Sequence, residues 1–297
     1  MISVQDAFKK FKSNLELTQG EQDDASRRQQ EIREVMGEAF ALETDFLTGS
    51  YARWTKTKPL QDVDIFCVLK DEERHYRDEP SYVVLADVEE ALVKKYGRDK
   101  VDPPVAFSVT VDFGVTAIDG TTGNRVMSFD VVPAFAKKDY YEVPNPLDSS
   151  GWTETNPRIH ADMAVAAHEA YSKEWKGLVR MMKAWNRQSG KPITPSFLIE
   201  VMALQVLYGD FQGDFRYEMK SFFASLADRI HERWPDPAGL GPDVSDGMNE
   251  SQKRNAKELL LSAQTGAAAA IQFEVRGKNS EALRAWRDLF GPLFPLS

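Results

Sequence analysis

The stretch Phe46-Leu-Thr-Gly-Ser-Tyr-Ala-Arg-Trp-Thr-Lys-Thr-Lys-Pro-Leu-Gln-Asp-Val-Asp-Ile-Phe-Cys-Val-Leu69 constrains this chain more than any other. Residues 61–69 read as a strand, opened by two carboxylates. In a strand, residues i and i+2 share a face. Asp62 and Asp64 are therefore expected side by side, with Val63 and Ile65 opposite. Two adjacent carboxylates repel unless a positive charge sits between them. Hard oxygen ligands from carboxylates, completed by substrate phosphates, describe a Mg²⁺ site. The pattern implies metal-dependent phosphoryl or nucleotidyl transfer.

Asp-x-Asp alone is also found on solvated strand edges and in calcium loops. The preceding pair tips the balance. Gly49 permits positive φ and close backbone approach. Ser50 offers a hydroxyl and a backbone N–H near a strand-to-helix corner, groups that bind phosphate. Arg53, Lys56 and Lys58 either line the mouth of such a site or solvate the loop, and the residues support both readings equally. Tyr51 is a candidate for shaping the pocket.

With 297 residues the chain suits one large domain or two lobes, at roughly 100–200 residues per domain. A net charge of −9 argues against gripping long duplex nucleic acid, which favours a basic surface. One cysteine, Cys67, builds neither a disulfide nor a zinc cluster and reads as a buried apolar residue. His75, His160, His168 and His231 lack metal-ligand spacing. No signal-peptide core opens the sequence and no apolar run is long enough to span a bilayer, so the expected location is cytoplasmic, off the membrane.

Residues 4–42 read as helical, with the charged stretch from Glu21 to Glu31 as a solvated face. Residues 82–96 read as a helix ended by Gly97. Residues 106–113 and 126–132 alternate at period two and form a hairpin candidate around the turn cluster 119–124. Residues 137–157 read as a loop or lid. Candidate helices follow at 160–188, 195–209, 215–231, 250–273 and 278–290. The composition changes near 150–160, dividing the chain into residues 1–157 and 158–297. Trp185 and Phe197 read as core packing. Asn156 fits a base contact or a helix cap equally.

A two-metal site needs a further carboxylate from a neighbouring strand, and Asp112 and Asp130 both qualify. Asp130, flanked by Phe129, Val131 and Val132, is costly to bury unless paired or metal-bound. Asp112 meets the same cost argument unless it is exposed. Pro133 is expected to end the second strand.

Gly49-Ser50, Asp62-Val-Asp64 and Phe129-Asp130-Val-Val-Pro-Ala134 together resemble the DNA polymerase β-like nucleotidyltransferases. More narrowly, the chain resembles the bacterial cGAS/DncV-like enzymes (CD-NTases) of CBASS anti-phage operons. The likeness continues through Gly151-Trp-Thr-Glu-Thr-Asn-Pro157, Lys176-Gly-Leu-Val-Arg-Met-Met-Lys-Ala-Trp-Asn186, Pro195-Ser-Phe-Leu-Ile-Glu200, Asp236-Pro-Ala-Gly239 and Leu289-Phe-Gly-Pro-Leu-Phe-Pro295. It spans nearly the whole chain.

The resemblance implies an α+β, bilobal fold: a polymerase β-like sheet with flanking helices, then a C-terminal helical lobe. It selects Asp130 over Asp112 as the third carboxylate. Asp62, Asp64 and Asp130 would hold two Mg²⁺ ions, with Mn²⁺ able to substitute. Gly49, Ser50, Lys183 and Ser196 would contact the donor triphosphate. The implied activity joins nucleoside triphosphates, ATP among them, into a cyclic di- or trinucleotide that activates an effector encoded in the same operon. A monomer with no DNA requirement is expected. Two alternatives use the same residues: a transferase with a linear product, and a catalytically silent nucleotide-binding module.

Overall fold

The computed structural model describes residues 2–58, 60–114 and 128–297. The turn cluster 119–124, and the start of the strand expected from 126, lie outside the described residues. The chain divides into two compact units. One is Leu17–His160; the other joins Met1–Glu16 to Ala161–Ser297.

In the first unit, α2 (Gln19–Ala39) precedes β1 (Leu42–Leu47), α3 (Gly49–Ala52) and β2 (Val63–Leu69). Then come α4 (Tyr82–Tyr96), β3 (Val109–Asp112), β4 (Ser128–Ala136), β5 (Tyr141–Pro144) and β6 (Trp152–Thr155). The strands form one mixed sheet in the order β1-β2-β4-β5-β6, with β3 also paired to β4. β2 and β4 are parallel, which aligns Asp64 with Asp130. β3 is antiparallel to β4, which aligns Thr110 with Asp130.

The two faces of the sheet differ. Val63, Ile65, Cys67, Phe129 and Val131 pack with Ile32, Val35 and Met36 of α2 and Val84, Val88 and Leu92 of α4. Phe66, Val68, Val132, Ala134, Tyr141 and Val143 cluster on the other face with Phe46. Apolar residues on both faces make β2 a near-continuous hydrophobic run, as expected of a central parallel strand.

Several expectations need correction. The helix over 4–42 is two helices, α1 (Val4–Leu15) and α2, and its tail is β1. Thr18 starts α2 with a capping box, so Glu21 is buried against Thr18 and not solvated. The loop of 137–157 contains β5 and β6. Pro133 does not end β4. It lies between the stretch of β4 that pairs β3 and the stretch that pairs β5, where its missing N–H costs no ladder bond on that side.

The second unit contains α1, most of α5 (Pro157–Ala170), α6 (Trp175–Gln188), α7 (Phe197–Val206), α8 (Phe215–Arg229), α9 (Glu250–Val275) and α10 (Asn279–Phe290). The helix expected over 160–188 breaks between α5 and α6, where Ser172 and Lys173 take positive φ. Phe8 of α1 meets Trp286, Phe290 and Phe294 edge-on, with centroids 4.8–5.9 Å apart. Trp185 is core, in edge contact with Phe223, and Phe197 is partly buried on the same core.

Candidate active site

β1 ends at Leu47, and the N–H of Thr48, which joins it to Gly49, donates to the Asp64 carbonyl at 2.8 Å. Gly49 turns the chain with φ of +62°, and α3 begins there. A Cβ at this position would lie 1.7 Å from Asp64 Oδ2, so the carboxylate occupies the space that only glycine leaves open. The Ser50 carbonyl accepts from the N–H groups of Thr55 and Lys56, both at 3.0 Å. These bonds fold the basic loop back over α3. The Ser50 side chain is half-buried at this corner.

Asp64 and Asp130 stand in register on neighbouring strands, on one face of the sheet. Burial, together with the charges of Asp130 and Asp62, pushes the Asp64 carboxyl up to about 6; Lys56 and Arg53 oppose this. Asp130 is also held above its ordinary range by burial, and by Asp62, against a hydrogen bond from Thr110 Oγ1 at 2.6 Å. Arg53 is buried, and Lys56 Nζ donates to the Asp62 carbonyl at 3.1 Å. These two cations stand toward the carboxylates. Lys58 is half-buried without an ion pair among the described residues.

Asp62 does not belong to the strand. It precedes β2 with φ of +50°, so alternation along the strand does not extend to it. Ser128 holds the kink: its Oγ accepts from the Asp62 N–H at 3.0 Å and donates to Asp62 Oδ1 at 2.9 Å. Ser128 and Thr110 are the positioning residues that sequence reasoning missed. Their signal was the place of each hydroxyl beside Asp130, two residues before it in one case and in expected register across the hairpin in the other.

Among the described residues, no three His, Cys, Asp or Glu side chains are gathered closely enough to hold an ion by themselves. The fold supplies a carboxylate pair with a third carboxylate beside it. Such a set suits Mg²⁺, which keeps several waters and takes its remaining ligands from phosphates. Burial raises Asp64 most, and the repulsion from Asp130 and Asp62 that adds to it is what a divalent cation would relieve.

Asp112 is exposed at the end of β3, where its Oδ1 accepts from the Gly114 N–H. Lys183 lies on α6, buried, and donates to Glu200 Oε1 at 2.6 Å. Ser196 is exposed at the start of α7. Asn156 caps α5, accepting from the N–H groups of Arg158 and Ile159. Cys67 is buried, which pushes its thiol up.

The same fold recurs in solved structures. E. coli MS115-1 CdnC in complex with ATP superposes with a TM-score of 0.70 at 19% identity, covering 99% of each chain. Vibrio cholerae DncV cyclic AMP-GMP synthase, with its linear intermediate, gives 0.67 at 15% identity over 85% of this chain and 69% of that one. In sequence, a probable cyclic nucleotide synthase of Bacillus cereus (strain VD146) is 28% identical over 83% of this chain and 81% of its own. A cyclic AMP-AMP-AMP synthase of Acinetobacter sp. (strain ATCC 27244 / 9458) is 25% identical over 85% and 73% respectively. Residues 2–166, more than half of the chain and including Gly49 and the three aspartates, match the Second Messenger Oligonucleotide or Dinucleotide Synthetase domain, SMODS, and the chain belongs to that family of cGAS/DncV-like nucleotidyltransferases.

Proposed function

We propose that this chain is a metal-dependent nucleotidyltransferase that joins nucleoside triphosphates into a cyclic oligonucleotide and releases pyrophosphate. The observation that carries the reading is the Gly49 turn closed against Asp64, itself in register with Asp130.

The chemistry is attack of a ribose hydroxyl on an α-phosphorus. The new P–O bond forms as the bond to pyrophosphate breaks. Asp130, whose basicity burial has raised, accepts the hydroxyl proton. Asp62, Asp64 and Asp130 would hold two Mg²⁺ ions, with Mn²⁺ as a substitute. Bound there, the metal supplies charge to the entering and leaving oxygens. Ser50 and the Gly49 backbone orient the donor triphosphate, and Lys183 and Ser196 contribute to its binding. ATP is among the substrates, a choice supported by the relative named as a cyclic AMP-AMP-AMP synthase. The product activates an effector from the same anti-phage operon. The enzyme acts as a cytoplasmic monomer without DNA. Among the described residues, no helix is long and apolar enough to cross a membrane.

The test is incubation with labelled NTPs and Mg²⁺ or Mn²⁺, omitting one nucleotide at a time, with mass identification of the product. A phosphatase-resistant product with no terminal phosphate supports ring closure. A phosphatase-sensitive product assigns a linear transferase. Synthesis retained by Asp64→Ala with Asp130→Ala would remove the carboxylates from the mechanism.

A further inference from the structure

The face of the sheet that carries Asp64 and Asp130 continues into rings. Phe46, Phe66 and Tyr141 lie 5.4–5.9 Å apart, centroid to centroid. Phe66 follows Asp64 by two residues, one same-face step of about 7 Å along the strand. Over these rings lies the guanidinium of Arg158, 5.1 Å from the centroid of Phe46 and 5.6 Å from that of Tyr141.

Three facts set Arg158 apart from an ordinary surface arginine. It sits in the first turn of α5, where the helix dipole disfavours a cation. Among the described residues its guanidinium has no carboxylate or hydrogen-bond acceptor, although its backbone N–H is spent on the Asn156 cap. It is nevertheless exposed while its guanidinium lies over the rings of Phe46 and Tyr141. Neither the helix nor an ion pair accounts for this placement.

Resting on the nucleotidyl-transfer reading, we infer that Arg158 recognises the base of one bound nucleotide. Its plane, fixed from below by Phe46 and Tyr141, carries the base on its outer face. Arginine planes stack on bases in this way, and a lysine cannot replace the plane. Asp64 binds at the phosphate end, and the ribose bridges the step along β2 from there to the rings. A lone cation above an apolar floor suits a base better than a triphosphate, which needs several donors at once.

The test measures KM and kcat for each NTP in turn, with direct calorimetric binding of each Mg·NTP, for wild type, Arg158→Ala and Arg158→Lys. Thermal melting checks folding. Arg158→Ala is expected to raise KM and Kd for one nucleotide about tenfold or more, the factor one stacked base carries. The other nucleotides and the melting temperature stay unchanged, and Arg158→Lys does not restore binding. Equal affinity for every nucleotide in all three proteins overturns the assignment. Full rescue by lysine also overturns it, and assigns a phosphate contact instead. Base discrimination in binding without any product would overturn the nucleotidyl-transfer reading alone.

Discussion

The missing side chain of Gly49 is filled by the carboxylate of Asp64: a Cβ there would stand 1.7 Å from Oδ2. The turn that presents Ser50 and the strand that presents Asp64 are thus fitted to one another.

Gly49→Ala should therefore lose activity out of proportion to stability. The new methyl group displaces Asp64 and strains a residue at positive φ. Misplacement of a catalytic group by an ångström costs roughly 100-fold in rate. Steady-state turnover is expected to fall by at least that factor while circular dichroism keeps its folded signature. Near-wild-type turnover would mean that Asp64 needs no such seat.

The pH dependence of stability follows from Asp64. Its folded value, about 6, lies above its ordinary 3.8, so folding favours the protonated form. That contribution is complete below about pH 4 and lost as pH rises through 6. The loss is at most about 3 kcal/mol. In chelator, the difference in melting temperature between Asp64→Asn and wild type should widen in favour of Asn between pH 4 and pH 7. Added Mg²⁺ should stabilise wild type most above pH 6, and Asp64→Asn little. A difference independent of pH would contradict the burial of this carboxylate.

Lys183 and Glu200 form a buried pair, so the single substitution Lys183→Met takes the ammonium away from the buried Glu200. Removing one partner of a buried pair costs about 3–5 kcal/mol. Lys183→Met with Glu200→Leu should recover most of that stability. If Lys183 also binds triphosphate, the double variant folds but shows a raised KM for the donor nucleotide. Denaturant melts and nucleotide titrations on the same preparation separate the two roles.

Phe8→Ala should destabilise the helical unit by about 3–5 kcal/mol, the usual cost of removing a buried aromatic ring. Phe8 is fully buried among the rings of the C-terminal segment. A loss under 1 kcal/mol, measured by urea denaturation, would show that α1 is dispensable to that core.

What the sequence revealed depended on how local each cause was. The helix α4 and its end at Gly97 were legible because periodicity and a left-handed glycine act within a few residues. The β2 core was legible for the same reason. Asp62 was not, because its kink is set by Ser128, distant in sequence. β5 and β6, four residues each, are hidden among turn formers and exist because they extend a sheet already present. Thr18-x-x-Glu21 was a readable capping signal that the long charged run obscured. The partner of Lys183 leaves no local trace at all.

The way α1 joins the helical unit sets an order of assembly during translation. The sheet unit is one uninterrupted stretch and can form while the ribosome is still working. α1 leaves the ribosome early, yet the last of its partners are made at the very end: Asn14 Nδ2 donates to the Leu293 carbonyl at 2.9 Å, and Asn279 Nδ2 donates to that of Ile2, just before α1, at 2.8 Å. Phe8 and Phe11 therefore lack the rings of Phe290 and Phe294 until α10 and the segment after it have been made. A nascent chain halted before residue 279 would carry a finished sheet and an α1 that meets α6 and α8 but lacks the rings of α10 that close over Phe8.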